Sequence, residues 1–269
     1  MNKKPLVSII MPAYNAQKFI AESIDSVLKQ SYENWELIIA DNNSKDKTVE
    51  IIKSYASDDS RVKYVKAFDK QGAAYARNLA IEVARGDYIA FLDSDDLWFE
   101  DKLEKHIAFM QENDLVLSYT SYQAFGERDH VVRNAEKASY KEILKHNVIG
   151  CSTAVYNLKK LKQKYYMPMI RNGQDWCLWC NILKDSRSVA MRLDEVLTLY
   201  RIDENSLSAN KLKCAYYHYK ALRHELKVGL LKSIYCFMCY AVINLKKVAS
   251  LQLFLRMLGI RKNKKKATV

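Results

Sequence analysis

A chain of 269 residues can form one large domain, or one domain with an appendage, and its seven glycines and three prolines exclude collagen-like and low-complexity proteins. The residues MNKKPLVSII lack the apolar stretch and cleavage site of a signal peptide, so we expect a cytoplasmic protein. The formal net charge is +12, yet residues 209–269 hold fourteen lysines and arginines against one acid. That segment therefore carries the whole positive excess, so any role assigned to the segment has to account for its charge.

Apolar strands alternate with helices through the first hundred residues. The spacing predicts strands at 6–11, 35–40, 62–65 and 88–92, and helices at 16–30, 46–55 and 73–84. This alternation indicates βαβ units and a mostly parallel sheet flanked by helices, an α/β fold. Later segments predict strands at 115–119, 150–156 and 196–201, a helix at 174–183, an irregular segment at 126–147 that forms a mobile loop over the site, and helix from 211 to about 258.

We therefore predict an α/β domain over residues 1–208 and a basic amphipathic helical tail over 209–269. Within the domain, residues 1–112 form the nucleotide-binding half and 113–208 the acceptor half. Polar residues follow three predicted strands, namely Pro12-Ala13-Tyr14-Asn15, Asp41-Asn42-Asn43-Ser44 and Asp93-Ser94-Asp95-Asp96. Because parallel sheets bind nucleotides at the carboxyl ends of their strands, these three loops are expected to converge on one crevice.

Three segments carry a resemblance to a known family. VSIIMPAYNAQKFIAESIDSVLKQSYENWELIIADNNSKDKT, GAAYARNLAI and GDYIAFLDSDD, in this order, resemble the donor-site segments of family 2 inverting glycosyltransferases. The resemblance covers about residues 5–205 and implies a Rossmann-like GT-A fold. It also implies transfer from a UDP-sugar, a UDP-hexose or UDP-N-acetylhexosamine, to a hydroxyl of a lipid-linked or oligosaccharide acceptor in bacterial surface polysaccharide synthesis.

The acidic loop is the candidate metal and diphosphate site. The resemblance places Asp95 on a divalent cation, Mn²⁺ or Mg²⁺, and Asp93 near the ribose or the metal, with Ser94 between them. Carboxylate oxygens suit either ion, and the leaving diphosphate gains negative charge that a cation neutralises. The alternative is that these aspartates cap a helix beginning near Leu97. Asp203 stands where the family often has a metal-binding His, and either binds the metal or begins a turn.

The remaining donor-site candidates follow from the same resemblance. Tyr14 can stack on uracil and Asp41 can accept from its imide N–H. Arg77 can counter phosphate charge, although an exposed arginine on a helix face is an equal alternative. The full set of donor-binding candidates is Pro12, Ala13, Tyr14, Asn15, Asp41, Asn43, Gly72, Arg77, Asn78, Asp93, Ser94, Asp95 and Ser152.

The catalytic base comes from the second half. An alcohol must lose its proton as it attacks the anomeric carbon. Asn172-Gly173-Gln174-Asp175-Trp176 resembles the family's Glu-Asp-Trp element, which implies that Asp175 is the base and that Gln174 and Trp176 contact the acceptor. Gln174 stands where Glu is usual, and Asp175 as a helix cap is the alternative. A sugar-nucleotide-binding or nucleotidyltransferase protein without glycosyl transfer would not need Asp175.

Two CxxC pairs, Cys177/Cys180 and Cys236/Cys239, lie in apolar, helix-like contexts that favour core packing over zinc binding. In the tail, apolar stretches flanked by Lys and Arg favour an interfacial helix on an anionic membrane, which would make the protein peripheral on the inner face of the cell membrane. The alternatives are packing on the catalytic domain or a homodimer. Nucleic-acid binding would leave the acidic loop unexplained, so we predict none.

Overall fold

The computed structural model describes residues 4–126, 129–202 and 211–257. Its first half is a parallel β-sheet with strand order β3-β2-β1-β4. The strands are β1 (Val7–Ala13), β2 (Trp35–Asp41), β3 (Val62–Lys66) and β4 (Tyr88–Phe91), and the connecting helices are α1 (Ile20–Leu28), α2 (Thr48–Asp58) and α3 (Ala73–Val83). Each element lies where the hydrophobic spacing predicts it, and the βαβ prediction is confirmed.

The second half extends the same sheet with mixed strand directions. After the short strand β5 (Leu97–Trp98) come α4 (Lys102–Glu112), β6 (Leu117–Gly126), β7 (His130–Val132), β8 (Lys137–Ser139), α5 (Tyr140–Ile143), a 3-10 turn (Cys151–Thr153), β9 (Ala154–Asn157), α6 (Leu158–Leu161), α7 (Gln174–Ser186) and β10 (Val189–Ile202). The sheet continues β4-β9-β6-β10-β5, with β9 antiparallel to both neighbours and β10 parallel to β6. The fold is thus an α/β sheet flanked by helices, parallel through its first four strands and mixed beyond them.

Two expectations from the sequence are corrected here. The segment 126–147 is not irregular where the structure describes it, because β7 pairs with β6 and β8 pairs with β10. Leu97 and Trp98 form a strand against β10 rather than the start of a helix, and the next helix begins only at Lys102. The helix-cap interpretation of Asp93 and Asp95 is therefore wrong.

The core lies on both faces of the sheet. Every residue of β1 and β2 is buried, and alternate side chains enter two different clusters. Ile10 and Ile38 face the cluster that contains α3 and α7, whereas Ile9 and Leu37 face the cluster that contains α1 and α4. Strands buried on both faces read as continuous apolar runs, which is why the sequence signal was clear in this half.

The described part of the tail, residues 211–257, forms two helices that pack on the α/β domain. They are α8 (Lys211–His224) and α9 (Leu230–Met257). The His218 ring stacks on Trp176 of α7 on one side and on Tyr240 of α9 on the other, each at 4.2 Å between ring centroids. Ala221, Leu222, Leu226, Val228 and Cys236 belong to the same core cluster as α7. Within the described part of the chain, no helix has the length and apolar character needed to cross a membrane.

Candidate active site

A cavity of about 940 Å³ opens at the carboxyl ends of β1, β2 and β4. It is where the three polar loops were expected to converge. The predicted site residues that line it are Pro12, Ala13, Tyr14, Asn15, Gly72, Arg77, Asp93, Ser94, Asp95 and Gln174. Tyr14 is 63% exposed, so its ring is free to contact a ligand in this cavity. A cleft of this size is adequate for a nucleotide-sized ligand.

The loops after β1 and β2 are joined by hydrogen bonds. The Asn15 amide donates to Ser44 Oγ at 2.8 Å, and the Asn15 side-chain oxygen accepts from the Lys45 amide at 2.8 Å. Asn15 and Asn43 both adopt positive φ values, 47° and 66°, which Asn tolerates better than most residues. The Asn43 side chain accepts from Lys45 Nζ and lies outside the cavity lining. These hydrogen bonds tie the loop after β1 to the loop after β2.

Asp41 is fully buried at the end of β2. One carboxylate oxygen accepts from the amides of Asn43 and Ser44, at 3.1 and 3.2 Å. Its other oxygen is buried with no hydrogen-bond partner among the described residues. A buried acceptor without a partner is costly. Asp41 itself does not line the cavity, whereas the next residue, Asn42, does.

Arg77 connects the donor loop to the start of α7. Its Nη2 donates to Asp93 Oδ1 at 2.5 Å, and its Nη1 donates to Gln174 Oε1 at 3.3 Å. Arg77 as a residue is 9% exposed, and its Nε is buried without a partner among the described residues. Gly72, the N-cap residue of α3, has φ 118°, a conformation that side-chain-bearing residues rarely adopt. Arg77 is thus a positioned cation in the cavity wall, which excludes the exposed helix-face alternative.

Asp95 and Asp96 have different surroundings. Burial, together with the neighbouring Asp93 carboxylate, raises the pKa of Asp95 to about 6. Asp96 is fully enclosed; its carboxylate accepts from Ser152 Oγ at 2.5 Å and from the Arg201 amide at 2.9 Å. Asp96 is therefore occupied in holding the loop, whereas Asp93 and Asp95 line the cavity.

The acidic loop fits a divalent cation that is completed by its ligand. Asp93 and Asp95 both line the cavity, where their carboxylates can face a bound ion. No group of three or more potential protein ligands gathers anywhere in the described ranges. Mg²⁺ is commonly held by one or two carboxylates plus substrate phosphates, and the Asp93–Asp95 pair matches that pattern. Asp203, the third predicted ligand, lies outside the described residues.

Asp175 lies in the first turn of α7, directly after the cavity-lining Gln174. Burial raises the pKa of its carboxyl group, while the backbone amide of Trp176 and the charge of Arg77 partly oppose that rise. Asn147 Nδ2 donates to its Oδ2 at 3.3 Å. The N-cap of α7 is Gly173, at φ 79°, and not Asp175, so the helix-cap alternative is excluded.

Three predicted site residues support the cavity instead of lining it. The Asn78 side chain donates to and accepts from the Met167 backbone, both at 2.8 Å, and so fixes the chain near residue 167. Ser152 Oγ donates to Asp96 and accepts from the Asp93 amide at 3.1 Å, so it holds the acidic loop. Trp176 is 2% exposed and donates from its indole to Ile143 O at 2.7 Å. With its ring also stacked on His218, Trp176 has no open face for an acceptor sugar.

Several residues were not identified from the sequence. Arg201 Nε donates to Asp95 O at 2.9 Å and its Nη2 pairs with Glu22 at 2.8 Å, which ties β10 to the acidic loop. Arg171 and Met169 line the cavity from the segment before α7. Asn147 comes from the segment predicted to be irregular. No local sequence pattern signals these residues, because the groups they contact lie far away along the chain.

The cysteine pairs are part of the packing. Cys177 and Cys180 are buried on α7, and Cys236 is buried on α9. All three belong to the core cluster that joins these helices. Burial raises the pKa of Cys177 and Cys180, so neither is a ready thiolate ligand.

Comparisons with known proteins show which sequences this chain is similar to. The model of "Glycosyl transferase family 2" matches residues 8–167. The chain is 40% identical over 250 residues to the putative teichuronic acid biosynthesis glycosyltransferase TuaG of Bacillus subtilis, covering 91% of this chain and 98% of that protein. It is 38% identical over 246 residues to WfgD of Escherichia coli, a UDP-Glc:alpha-D-GlcNAc-diphosphoundecaprenol beta-1,3-glucosyltransferase, covering 91% and 95%.

A solved structure supports the fold. The chain is similar to the mannosyltransferase PcManGT from Pyrobaculum calidifontis in complex with GDP-Man and Mn²⁺. The TM-score is 0.68 at 16% identity, and the match covers 97% of this chain and 82% of that one. At this level of identity, the similarity concerns the fold alone.

Proposed function

The chain belongs to glycosyl transferase family 2, and from that premise we propose that it moves a sugar from a UDP-sugar to a hydroxyl of a lipid-linked or oligosaccharide acceptor, with inversion at the anomeric carbon. The observation that carries the proposal is the cavity that joins Asp93, Asp95 and Arg77 to Gln174, with Asp175 next in the chain. An acidic pair and a positioned cation suit a metal-bound diphosphate. The neighbouring carboxylate suits proton removal.

The donor nucleotide occupies the side of the cavity formed by β1 and β2. Tyr14 offers an exposed ring for stacking on uracil. The carboxylate proposed to accept from the imide N–H is that of Asp41, which precedes the cavity-lining Asn42. Arg77, with its unpartnered Nε, supplies a fixed positive charge for the diphosphate. The name of WfgD specifies UDP-Glc as that enzyme's donor, which supports a uridine nucleotide here.

Asp93 and Asp95 would hold a divalent cation, Mn²⁺ or Mg²⁺. When bound, such an ion stabilises the negative charge that develops on the departing diphosphate. The protein's own contribution is to keep both carboxylates in place, through Arg77 on Asp93 and through Arg201 on the Asp95 carbonyl. Mn²⁺ in the PcManGT complex supports the choice of a divalent ion.

Asp175 removes the proton from the attacking hydroxyl. The acceptor alcohol is a weak nucleophile, and it gains reactivity as its O–H proton passes to the Asp175 carboxylate. The raised pKa makes this carboxylate a stronger base than an exposed aspartate. Attack from the face opposite the departing UDP forms the new glycosidic bond and inverts the configuration.

The acceptor is proposed to be carried by a lipid diphosphate. This rests on the relatives, since the name of WfgD specifies a GlcNAc-diphosphoundecaprenol acceptor and that of TuaG specifies teichuronic acid biosynthesis. Both relatives match more than nine-tenths of this chain. The reaction therefore belongs to bacterial surface polysaccharide synthesis.

The test is a donor and acceptor screen. The protein is incubated with individual UDP-sugars, Mn²⁺ or Mg²⁺, and diphospho-lipid acceptors, and UDP release is measured beside product formation by mass spectrometry. We expect Asp175→Asn to lower kcat by about 10²–10⁴-fold, because it removes the base while keeping the shape of the side chain.

Asp58→Asn, at the exposed end of α2, is the matched control and should keep wild-type activity. Undiminished transfer by Asp175→Asn would remove Asp175 from the mechanism. Tight UDP-sugar binding without any transfer or UDP release would instead identify a sugar-nucleotide-binding protein.

A further inference from the structure

A row of exposed apolar side chains runs along one side of α9. Leu231, Met238 and Leu245 are 83%, 61% and 68% exposed, and three further members are at least 43% exposed. These are Ile234, Tyr235 and Val242. At 3.6 residues per turn the six fall within about 100° of the helix circumference and extend about 21 Å along it. Contiguous apolar surface of this kind on a soluble fold marks an interaction site.

The opposite side of α9 is already occupied. Tyr240 stacks on His218, and Ser233 and Cys236 are buried against the domain. The Ser233 hydroxyl also donates to Val228 O at 3.0 Å, which fixes the start of the helix. Rotation of α9 to hide the row would break these contacts. The row therefore faces outward as a fixed part of the protein.

Lysines stand in the sequence before, within and after the row, and one of them contacts it. Lys232 on α9 is exposed, and Lys145 reaches within 5.5 Å of the Tyr235 ring centre. Lys141 on α5 and Lys227 before α9 are also exposed. The sequence continues beyond the row with Lys246 and Lys247, and Glu225 is the sole acid of the whole 209–269 segment.

We propose that this outer row of α9 binds an anionic lipid surface, with the helix lying in the plane of the interface. Apolar side chains enter the headgroup boundary while the flanking lysines meet lipid phosphates. A second copy of the chain is a poorer partner, because pairing two such rows would bring the lysines of both copies together. The inference extends the proposed function by placing the cavity beside a lipid-borne acceptor.

The experiment measures vesicle flotation of the full chain. Vesicles of phosphatidylcholine alone are compared with an equal mixture of phosphatidylcholine and phosphatidylglycerol, at low and high salt. Wild type should float with the mixed vesicles and lose binding as salt rises, because screening weakens the lysine–phosphate attraction. The double substitution Met238→Glu/Val242→Glu should lower the bound fraction at least about tenfold, since it removes apolar contact and adds repulsion.

Val83→Glu is the matched control, since Val83 is 47% exposed at the end of α3, a helix that contributes no residue to the row. It should float like wild type. Thermal unfolding verifies that both variants are folded. Equal binding of wild type and the double variant, or equal binding to both vesicle types, would overturn the proposal. A wild-type dimer in sedimentation velocity that the double variant dissociates would overturn it in favour of a second copy. Flotation needs no sugar transfer, so this inference and the proposed enzyme activity can fail separately.

Discussion

Gln174 lies between the proposed diphosphate site, formed by Arg77 and Asp93, and the proposed base, Asp175. Its Oε1 accepts from Arg77, which also pairs with Asp93, and its Nε2 donates to Ile170 O at 2.6 Å. An amide can make both of these bonds at once, whereas a carboxylate can only accept. The residue therefore joins the donor side to the wall before α7, and it does so without adding a negative charge beside Asp175.

Replacing Gln174 with Glu should move the pH profile of kcat. The added carboxylate disfavours ionisation of Asp175, whose pKa burial already raises. The base acts when deprotonated, so the acid limb of the profile should shift to higher pH. The measurement is kcat against pH at saturating donor and acceptor.

Gln174→Ala is the companion variant. It removes the bonds to Arg77 and Ile170 but adds no charge, so it should lower kcat/KM by roughly tenfold to a hundredfold without moving the acid limb. An unchanged acid limb in Gln174→Glu would mean that Asp175 does not sense this position, and the assignment of Asp175 as the titrating base would fail.

At the scale of elements, α7 is held on two sides. Its first turn contributes to the active site, and its following residues pack in the core with α8 and α9. Trp176 connects the two, because it directly follows Asp175 and stacks on His218. His218 is 8% exposed, and burial lowers its pKa to about 4, with the nearby His146 acting in the same direction. The stack is therefore neutral at physiological pH.

The His218→Ala substitution should destabilise the protein by about 2–3 kcal/mol, because it removes two ring stacks and leaves a cavity. The His218→Phe substitution should restore much of this loss, since it keeps a flat ring. Urea unfolding measures both.

The His218→Phe variant should also differ from wild type in the pH dependence of its stability. The folded-state pKa of His218 lies below its ordinary value of 6.5, so wild type loses stability as pH falls from about 6.5 towards 4, when protonation favours the unfolded chain. His218→Phe should lack this component of the acid dependence. An identical pH dependence in wild type and His218→Phe would show that the ring does not titrate as described.

At the scale of the whole molecule, the tail completes the catalytic domain. The carboxy-terminal helices supply buried residues to the cluster that contains α3 and α7. They also carry the exposed row on their outer side. From the sequence, membrane association and packing on the domain were alternatives. In the structure, one face of α9 packs on the domain and the opposite face is exposed.

A chain ended after Asn210 should therefore lose more than its positive charge. It would expose Trp176 and the apolar surface around it, and we expect a lower melting temperature, self-association and at least a tenfold loss of kcat. Differential scanning calorimetry and sedimentation velocity test this. A truncated chain with wild-type stability and activity would show that the tail is dispensable. Because truncation is expected to disturb the fold, point substitutions on the outer row are the appropriate test of lipid binding.

The sequence by itself determined the parallel half of the sheet, the family resemblance and the loops that meet at the cavity. Strands buried on both faces are continuously apolar, and the polar residues at the carboxyl ends of parallel strands gather at one edge of the sheet. The local sequence pattern was therefore sufficient to predict that Asp93, Asp95 and Tyr14 lie at the same cavity. Only the tertiary structure decided that Asn78, Ser152 and Trp176 support the cavity rather than line it. Their partners Met167, Asp96 and His218 lie 89, 56 and 42 positions away in sequence, and no local pattern encodes such contacts.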